Sequence, residues 1–329
     1  MIYRLAKSNR LISYLIFPLI ALAFWIPSIS REYRYKFFEG EDQMVLFKPV
    51  YLLVENSPLA MTAISFLLLI LAAMILQRIN SEFGFFRIKN VLPPALFVYF
   101  VCGLSDLQTL HPVYFSLIFV LLAIYRIFSA FDLRKPFSQV FEAGFLLGTG
   151  AMFYLNSAFL LPAIVAGGMI LGRETRWREM VLTIAGFLTP WFFAFTYFFL
   201  NDDLPAQIEI LTSNLLTTNP QFENNAGMMV YLGYIGLLIF FGSINMIRNY
   251  EEKKISIRQY YLIFFLIFAS SVFVISIVPS ASEEMLLISL VPVSFLVSNL
   301  TQTFRRTILS EILLYLVLGL SIYLKLTAL

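Results

Sequence analysis

The chain has 329 residues, of which 60% are hydrophobic and 13% charged, and its formal net charge is +3. A soluble domain is about 45–50% apolar and about 25% charged, and a soluble fold of this size buries only about three quarters of its surface, so a soluble fold is excluded. A single cysteine, Cys102, excludes an internal disulfide, and a single histidine, His111, excludes a cluster of His and Cys ligands. The small net charge excludes a nucleic-acid partner. The composition predicts an all-α, polytopic integral membrane protein.

Apolar stretches recur along the whole chain and predict one integral membrane domain over residues 1–329. A bilayer core about 30 Å thick requires about 20 mostly apolar helical residues. About eleven stretches approach this length, and the range is nine to eleven because the third and sixth are short. In chain order the predicted spans are 11–28, 58–77, 91–104, 113–130, 138–155, 158–172, 180–200, 227–247, 260–278, 285–300 and 307–326.

Lys and Arg indicate the orientation, because they accumulate on the cytoplasmic side of a membrane. A cytoplasmic N-terminus leaves only five of the 23 basic residues outside: Arg31, Arg34, Lys36, Lys48 and Lys325. The first apolar run, 11–26, also resembles a secretory signal, but it exceeds the usual 7–15 residues, so an uncleaved anchor is favoured. The expected location is a bacterial inner membrane, with membrane lipids as partners.

Several motifs of known chemistry are missing from the sequence. It has no glycine-rich phosphate loop, no His-Glu-x-x-His, no Cys-x-x-Cys and no Gly-x-Ser-x-Gly. The predicted spans also contain few ionisable residues, and ion-coupled transport normally places such residues deep in the membrane. A transporter of lipids or solutes is therefore disfavoured.

The first outer loop, 27–58, carries the main candidate site residues. Glu39, Glu41 and Asp42 are three carboxylates within four positions, and their mutual repulsion favours proton transfer near neutral pH. The same oxygens could bind a divalent cation, although no metal is specified. Upstream, Arg31, Arg34 and Lys36 alternate with tyrosines, a composition suited to phosphate or lipid headgroups. The alternative is a solvated turn held by local salt bridges.

Other outer segments are predicted to lie on the membrane surface. The apolar stretch 44–54 is too short to span and predicts an interfacial helix. In the later outer loop, 201–227, apolar residues recur at helical spacing and predict a second amphipathic helix. Asp106 and His111, in the loop between the third and fourth spans, are further outer-face candidates.

Residues 118–191 resemble an uncharacterised family of Bacteroidota inner-membrane proteins. The resemblance is carried by Ala123–Phe128, Phe141–Phe145, Met152–Tyr154, Trp177–Glu179 and Gly186–Pro190. It implies a source lineage and a membrane location, and it implies no activity.

The architecture also resembles, more weakly, the GT-C type of glycosyltransferases, which use polyprenyl-phosphate sugars. In those enzymes a carboxylate of the first outer loop acts as the base on the acceptor or helps to hold a metal. The resemblance carries this role to Glu39, Glu41 or Asp42 and implies a lipid-linked sugar as substrate. The competing hypothesis is a non-catalytic subunit or scaffold of an envelope assembly complex, with a membrane-protein partner.

Overall fold

A computed structural model describes Tyr3 and the ranges 11–30, 35–37, 40–86, 90–172, 177–217, 226–304 and 306–327. These residues form thirteen α-helices and two short 3-10 helices, and no strand occurs among them. The helices are α1 Leu11–Ser30, α2 Phe47–Val54, α3 Pro58–Glu82, α4 Leu92–Cys102, α5 Pro112–Phe128, α6 Phe137–Ala151, α7 Leu161–Leu171, α8 Trp177–Leu200, α9 Leu204–Leu216, α10 Ala226–Arg248, α11 Ile255–Ile277, α12 Glu284–Thr303 and α13 Thr307–Thr327. The 3-10 helices are Ser105–Gln108 and Leu155–Leu160. The all-α prediction is confirmed.

Each predicted span coincides with a helix, but fewer helices than predicted can cross a bilayer by their own length. Among the described residues six are long and apolar enough, namely α3, α8, α10, α11, α12 and α13. Helices α4 to α7 have only 11 to 17 residues. The structure thus supports a multi-pass membrane protein with six clear spans among the described residues, and the predicted count of nine to eleven is not confirmed.

Helix α12 lies at the centre of the bundle. It packs against α4, α5, α10 and α11, and 89% of its most apolar window is buried. Every residue of α4 is also buried. Helix α8 is the opposite case, because only 17% of its window is buried and most of its large side chains face outwards. Lipid chains are as apolar as these side chains, so the outer surface of α8 can face lipid without a cost in free energy.

Close backbone approach between α6 and α8 depends on glycine. A Cβ atom on Gly144 would lie 2.0 Å from the carbonyl oxygen of Thr183, and one on Gly148 would lie 2.3 Å from that of Phe187. The small-xxx-small spacing of these two glycines is therefore used for packing within the chain.

Successive loops alternate between two ends of the bundle. At the end called here the site end, the N–H of Leu46 donates to the carbonyl of Met152 (3.2 Å), and the hydroxyl of Ser280 donates to Asn156 Oδ1 (3.2 Å). At the opposite end, Asp132 N–H donates to the carbonyl of Leu171 (3.1 Å). Loops far apart in the chain therefore meet at the site end.

Candidate functional site

Three buried side chains from three separate loops converge at the site end. They are Glu41 of the first predicted outer loop, His111 at the start of α5, and Glu284 in the first turn of α12. Their ligand atoms all lie within 4.8 Å of one another. The exposed fractions of the residues are 4%, 0% and 2%. This group is called the Glu–His–Glu cluster below.

His111 is held in position by the start of helix α5. It is the N-cap residue, and its Nδ1 accepts a hydrogen bond from the backbone N–H of Val113 at 3.2 Å. Pro112 follows directly and has no N–H to satisfy. Because Nδ1 accepts this bond, the neutral ring carries its hydrogen on Nε2. That nitrogen lies 3.9 Å from Glu41 Oε2 and has no hydrogen-bond partner among the described residues.

A glycine turn places Glu41. Gly40 has a φ of +84°, a conformation that L side chains rarely adopt, and a Cβ atom there would lie 3.1 Å from the carbonyl oxygen of Ile210 in α9. The turn therefore packs under α9, where Asn214 is also buried. Asp42, the next residue, is only half-buried, so the two neighbouring carboxylates have different environments.

Aromatic rings enclose the cluster. The ring of His111 lies edge-on to Tyr35 (centroids 4.7 Å apart) and to Tyr154 (5.9 Å), and it stacks on Phe37 (6.1 Å). Phe37 in turn packs against Phe47 of α2. The short helix α2 thus supports the ring that covers His111.

Two tyrosine hydroxyls face the carboxylates. The Tyr35 hydroxyl donates a short hydrogen bond to Glu284 Oε1, while Glu284 Oε2 has no partner among the described residues. Burial raises the pKa of the Tyr35 phenol, and the charges of Glu284 and Glu41 raise it further, so this hydroxyl remains a donor. Burial also raises the pKa of Tyr154, with a smaller contribution from Glu284. The hydroxyl of Tyr154 accepts a bond from Asn156 Nδ2 at 3.3 Å.

The predicted site residues separate into three groups. Glu41 and His111 are brought together in the cluster. Asp42 is half-buried and Lys36 exposed at the same end, and Asp106 lies in the 3-10 helix, where it accepts a bond from Ser105 Oγ at 3.4 Å. Glu39, Arg31 and Arg34 lie outside the described residues.

Sequence reasoning did not select Glu284 or assign Tyr35 to the cluster. Glu284 follows Glu283 in an outer turn, and the pair has no distinguishing neighbour in the sequence. Its one signal is its position in the first turn of a long apolar helix, where a carboxylate interacts favourably with the helix dipole.

Both surface helices in the outer loops are present. In α2, Phe47 is buried while Leu53 is 86% exposed. In α9 the protein-facing residues are Gln207 and Asn214, and Ile208 and Leu216 of the apolar side are exposed. An outward-facing apolar side fits an interfacial helix that rests on lipid.

Comparison with known proteins gives one match. A family of unknown function, DUF6427, matches residues 43–328. His111 and Glu284 lie inside the matched range, and Glu41 and Asp42 lie just before it. No curated protein and no solved structure matches the chain.

Proposed function

Because the chain belongs to the DUF6427 family, whose function is unknown, we propose the activity that its resemblance to GT-C glycosyltransferases implies: transfer of a sugar from a polyprenyl-phosphate donor to an acceptor hydroxyl at the site end. The observation that carries the proposal is the position of Glu41. A carboxylate of the first predicted outer loop is folded into the end of the bundle beside His111 and Glu284, instead of pointing into solvent.

The site end is proposed to face the outside of a bacterial inner membrane. Among the described residues it carries few basic side chains, chiefly Lys36, Lys48 and Lys325. The opposite end carries most of them, and they include Arg78, Arg126, Arg134, Lys135, Arg248, Lys253, Lys254, Arg258 and Arg306. This asymmetry is what the positive-inside rule requires of a cytoplasmic N-terminus.

The proposed reaction uses Asp42 as the base. The carboxylate of Asp42 takes the proton of the acceptor hydroxyl, the acceptor oxygen forms a bond to the anomeric carbon of the sugar, and the bond from that carbon to the phosphate oxygen breaks. The polyprenyl phosphate leaves with the electron pair of that bond. Arg31 and Arg34 are proposed to stabilise its negative charge, with Lys36 nearby. Glu41 and His111 fix the turn that presents Asp42.

An apolar groove along three helices supports a lipid-linked donor. Helices α10 and α11 are separated by an apolar groove whose floor is α12, with cavity volumes of about 240 and 370 Å³ that share Ile239, Phe268 and Val293. The groove includes Leu286, two residues beyond Glu284 on the same helix. A polyprenyl chain in this groove would keep its phosphate near the site end.

The burial of the Glu–His–Glu cluster also favours the alternative, a non-catalytic subunit or scaffold. With all three residues at most 4% exposed, the cluster could serve only to join the first outer loop to α5 and α12. A scaffold would copurify with a stoichiometric membrane partner, and its function would be indifferent to Asp42.

To test this proposal, the Asp42→Asn variant is expressed in cells whose own copy of the gene is deleted. Transfer of radiolabelled sugar from lipid-linked donors is measured in membrane vesicles, and unused donor is quantified by mass spectrometry of lipid extracts. Loss of a general base should lower the transfer rate by about 100-fold or more while membrane insertion is unchanged. Asp203→Asn, an exposed carboxylate elsewhere at the site end, is the matched control. Equal transfer rates in the two variants would refute the proposed enzymatic activity.

A further inference from the structure

The structure assigns the Glu–His–Glu cluster to a divalent first-row transition-metal ion, of which Zn²⁺ is the best fit. The inference rests on the site of the proposed function and is independent of the reaction proposed there. Its basis is the convergence of two carboxylates and one imidazole, all buried, from three loops that only the fold brings together.

The donor set selects the class of ion. One imidazole nitrogen and two carboxylate oxygens suit Zn²⁺, Fe²⁺ or Mn²⁺, whereas Ca²⁺ and Mg²⁺ are held by oxygen ligands alone. Three protein ligands with an open fourth position are typical of catalytic zinc sites. Binding at about 2.0–2.2 Å requires the ligand atoms, now within 4.8 Å, to move together by about an ångström. Rotation of two glutamate side chains supplies a movement of that size.

Two buried polar atoms point to a ligand independently of the clustering. Nε2 of His111 and Oε2 of Glu284 both lack a hydrogen-bond partner among the described residues, although neither is in contact with solvent. Buried polar atoms in proteins rarely lack a hydrogen-bond partner. A cation between them would satisfy both atoms at once.

The surrounding groups are also those of a metal site. The Tyr35 hydroxyl donates to Glu284 Oε1 and so orients that carboxylate, as residues around metal ligands usually do. Aromatic rings of Tyr35, Phe37 and Tyr154 exclude water around His111. An ion held there would join the first outer loop to α5 and α12.

One contact competes with the ion. Nδ1 of His111 accepts the N–H of Val113, which places the ring hydrogen on Nε2. Binding through Nε2 therefore moves this hydrogen to Nδ1 and gives up one hydrogen bond at the start of α5. The net contribution of one such bond is small beside the free energy of binding a transition metal to three protein ligands, so the ion prevails.

The experiment measures metal content in full-length protein purified in detergent with a tag that contains no histidine. Because His111 is the only histidine and Cys102 is buried, background binding by other soft ligands is minimal. After incubation with excess ZnCl2, with MnCl2 in parallel, and then desalting, we expect about one equivalent of ion per chain by inductively coupled plasma mass spectrometry. Cobalt substitution should give visible d–d absorption bands.

Matched variants separate ligands from neighbours. Glu284→Gln and Glu41→Gln should lose the ion, while Glu283→Gln, one residue away and outside the cluster, should keep it. His111→Asn is the decisive variant, because asparagine is a good N-cap and preserves the start of α5 while it removes Nε2. Size-exclusion profiles confirm that each variant is folded.

Four outcomes are decisive. Loss of the ion and of the cobalt spectrum in folded His111→Asn supports the site. Less than a tenth of an equivalent in the wild type, or equal binding in wild type and variants, overturns it, and the second result means an adventitious ion only. If the ion is present but Asp42→Asn retains full transfer, the metal site stands and the proposed function falls.

Discussion

The two ends of the bundle place two pairs of glutamates in contrasting environments. At the site end, Glu41 and Glu284 are buried beside the imidazole of His111 and tyrosine hydroxyls. At the opposite end, Glu142 and Glu82 pair with Arg126 (2.8 Å) and Arg78 (3.4 Å), and all four side chains are 37–70% exposed. Exposed carboxylates with basic partners lose little hydration on folding, and their ion pairs contribute little to the free energy of unfolding. Buried carboxylates are costly, so the convergence of two of them with one histidine at the site end indicates a use for them there. The opposite end buries one described glutamate, Glu179 in the first turn of α8, without such a convergence.

The largest effect that should separate the two ends is expected from His111→Ala. It removes a fully buried ring that contacts Tyr35, Phe37 and Tyr154, and it removes the N-cap of α5. Loss of packing and of the cap should lower the free energy of unfolding by about 3 kcal/mol or more. Thermal unfolding can be followed by the reaction of a thiol dye with the buried Cys102. His111→Asn should recover about 1 kcal/mol of this loss, because it restores the cap. Equal loss in both variants would contradict the role of the cap.

A smaller effect is expected from Tyr35→Phe, which deletes the hydroxyl that donates to Glu284. A hydrogen bond to a buried charged group contributes about 1.5 kcal/mol or more, so the melting temperature should fall. Tyr125→Phe is the matched control, because the Tyr125 hydroxyl donates to the exposed Glu82 at 2.7 Å. The control should change stability by only about 0.5 kcal/mol. A larger loss of stability in Tyr125→Phe than in Tyr35→Phe would contradict the difference proposed between the two ends.

The smallest effect is expected from Arg126→Gln at the opposite end. The Arg126–Glu142 pair is 45% and 37% exposed, and such pairs contribute about 0–1 kcal/mol. The difference in stability between Arg126→Gln and wild type should be smaller still in about 1 M salt, because the dissolved ions then screen charges that are more than about 3 Å apart. Melting curves at low and high salt check this. A loss that high salt leaves unchanged would show that the pair is structurally important.

Much of the fold could be predicted from the sequence, because apolar runs and basic loops encode helices directly. Every predicted span coincides with a helix. The surface helices predicted in the stretch 44–54 and in the loop 201–227 are present as 47–54 and 204–216. The predicted count of nine to eleven spans is not confirmed, because only six of the described helices are long and apolar enough to cross alone. Helices surrounded by other helices need not match the bilayer thickness.

The site could be predicted only in part. The acidic run indicated Glu41 and Asp42, and position indicated His111, but no local pattern could bring Glu284 to them. The sequence also does not show which of the neighbouring carboxylates is buried. The turn at Gly40 decides this, because it directs Glu41 inwards and leaves Asp42 half-buried. A site assembled from loops far apart in the chain depends on tertiary packing, which spacing in the sequence does not contain.

The first predicted outer loop turns Glu41 into the site end and leaves Asp42 half-buried, and we propose that Asp42 is accessible from outside the cell. It is tested most directly by Glu41→Cys and Asp42→Cys in a Cys102→Ser background, labelled in intact cells with a membrane-impermeant maleimide. We expect rapid labelling of Cys at position 42 and labelling at position 41 that is about ten-fold slower or more until the protein is unfolded. Equal rates at the two positions, or labelling of position 42 only after the cells are permeabilised, would contradict it.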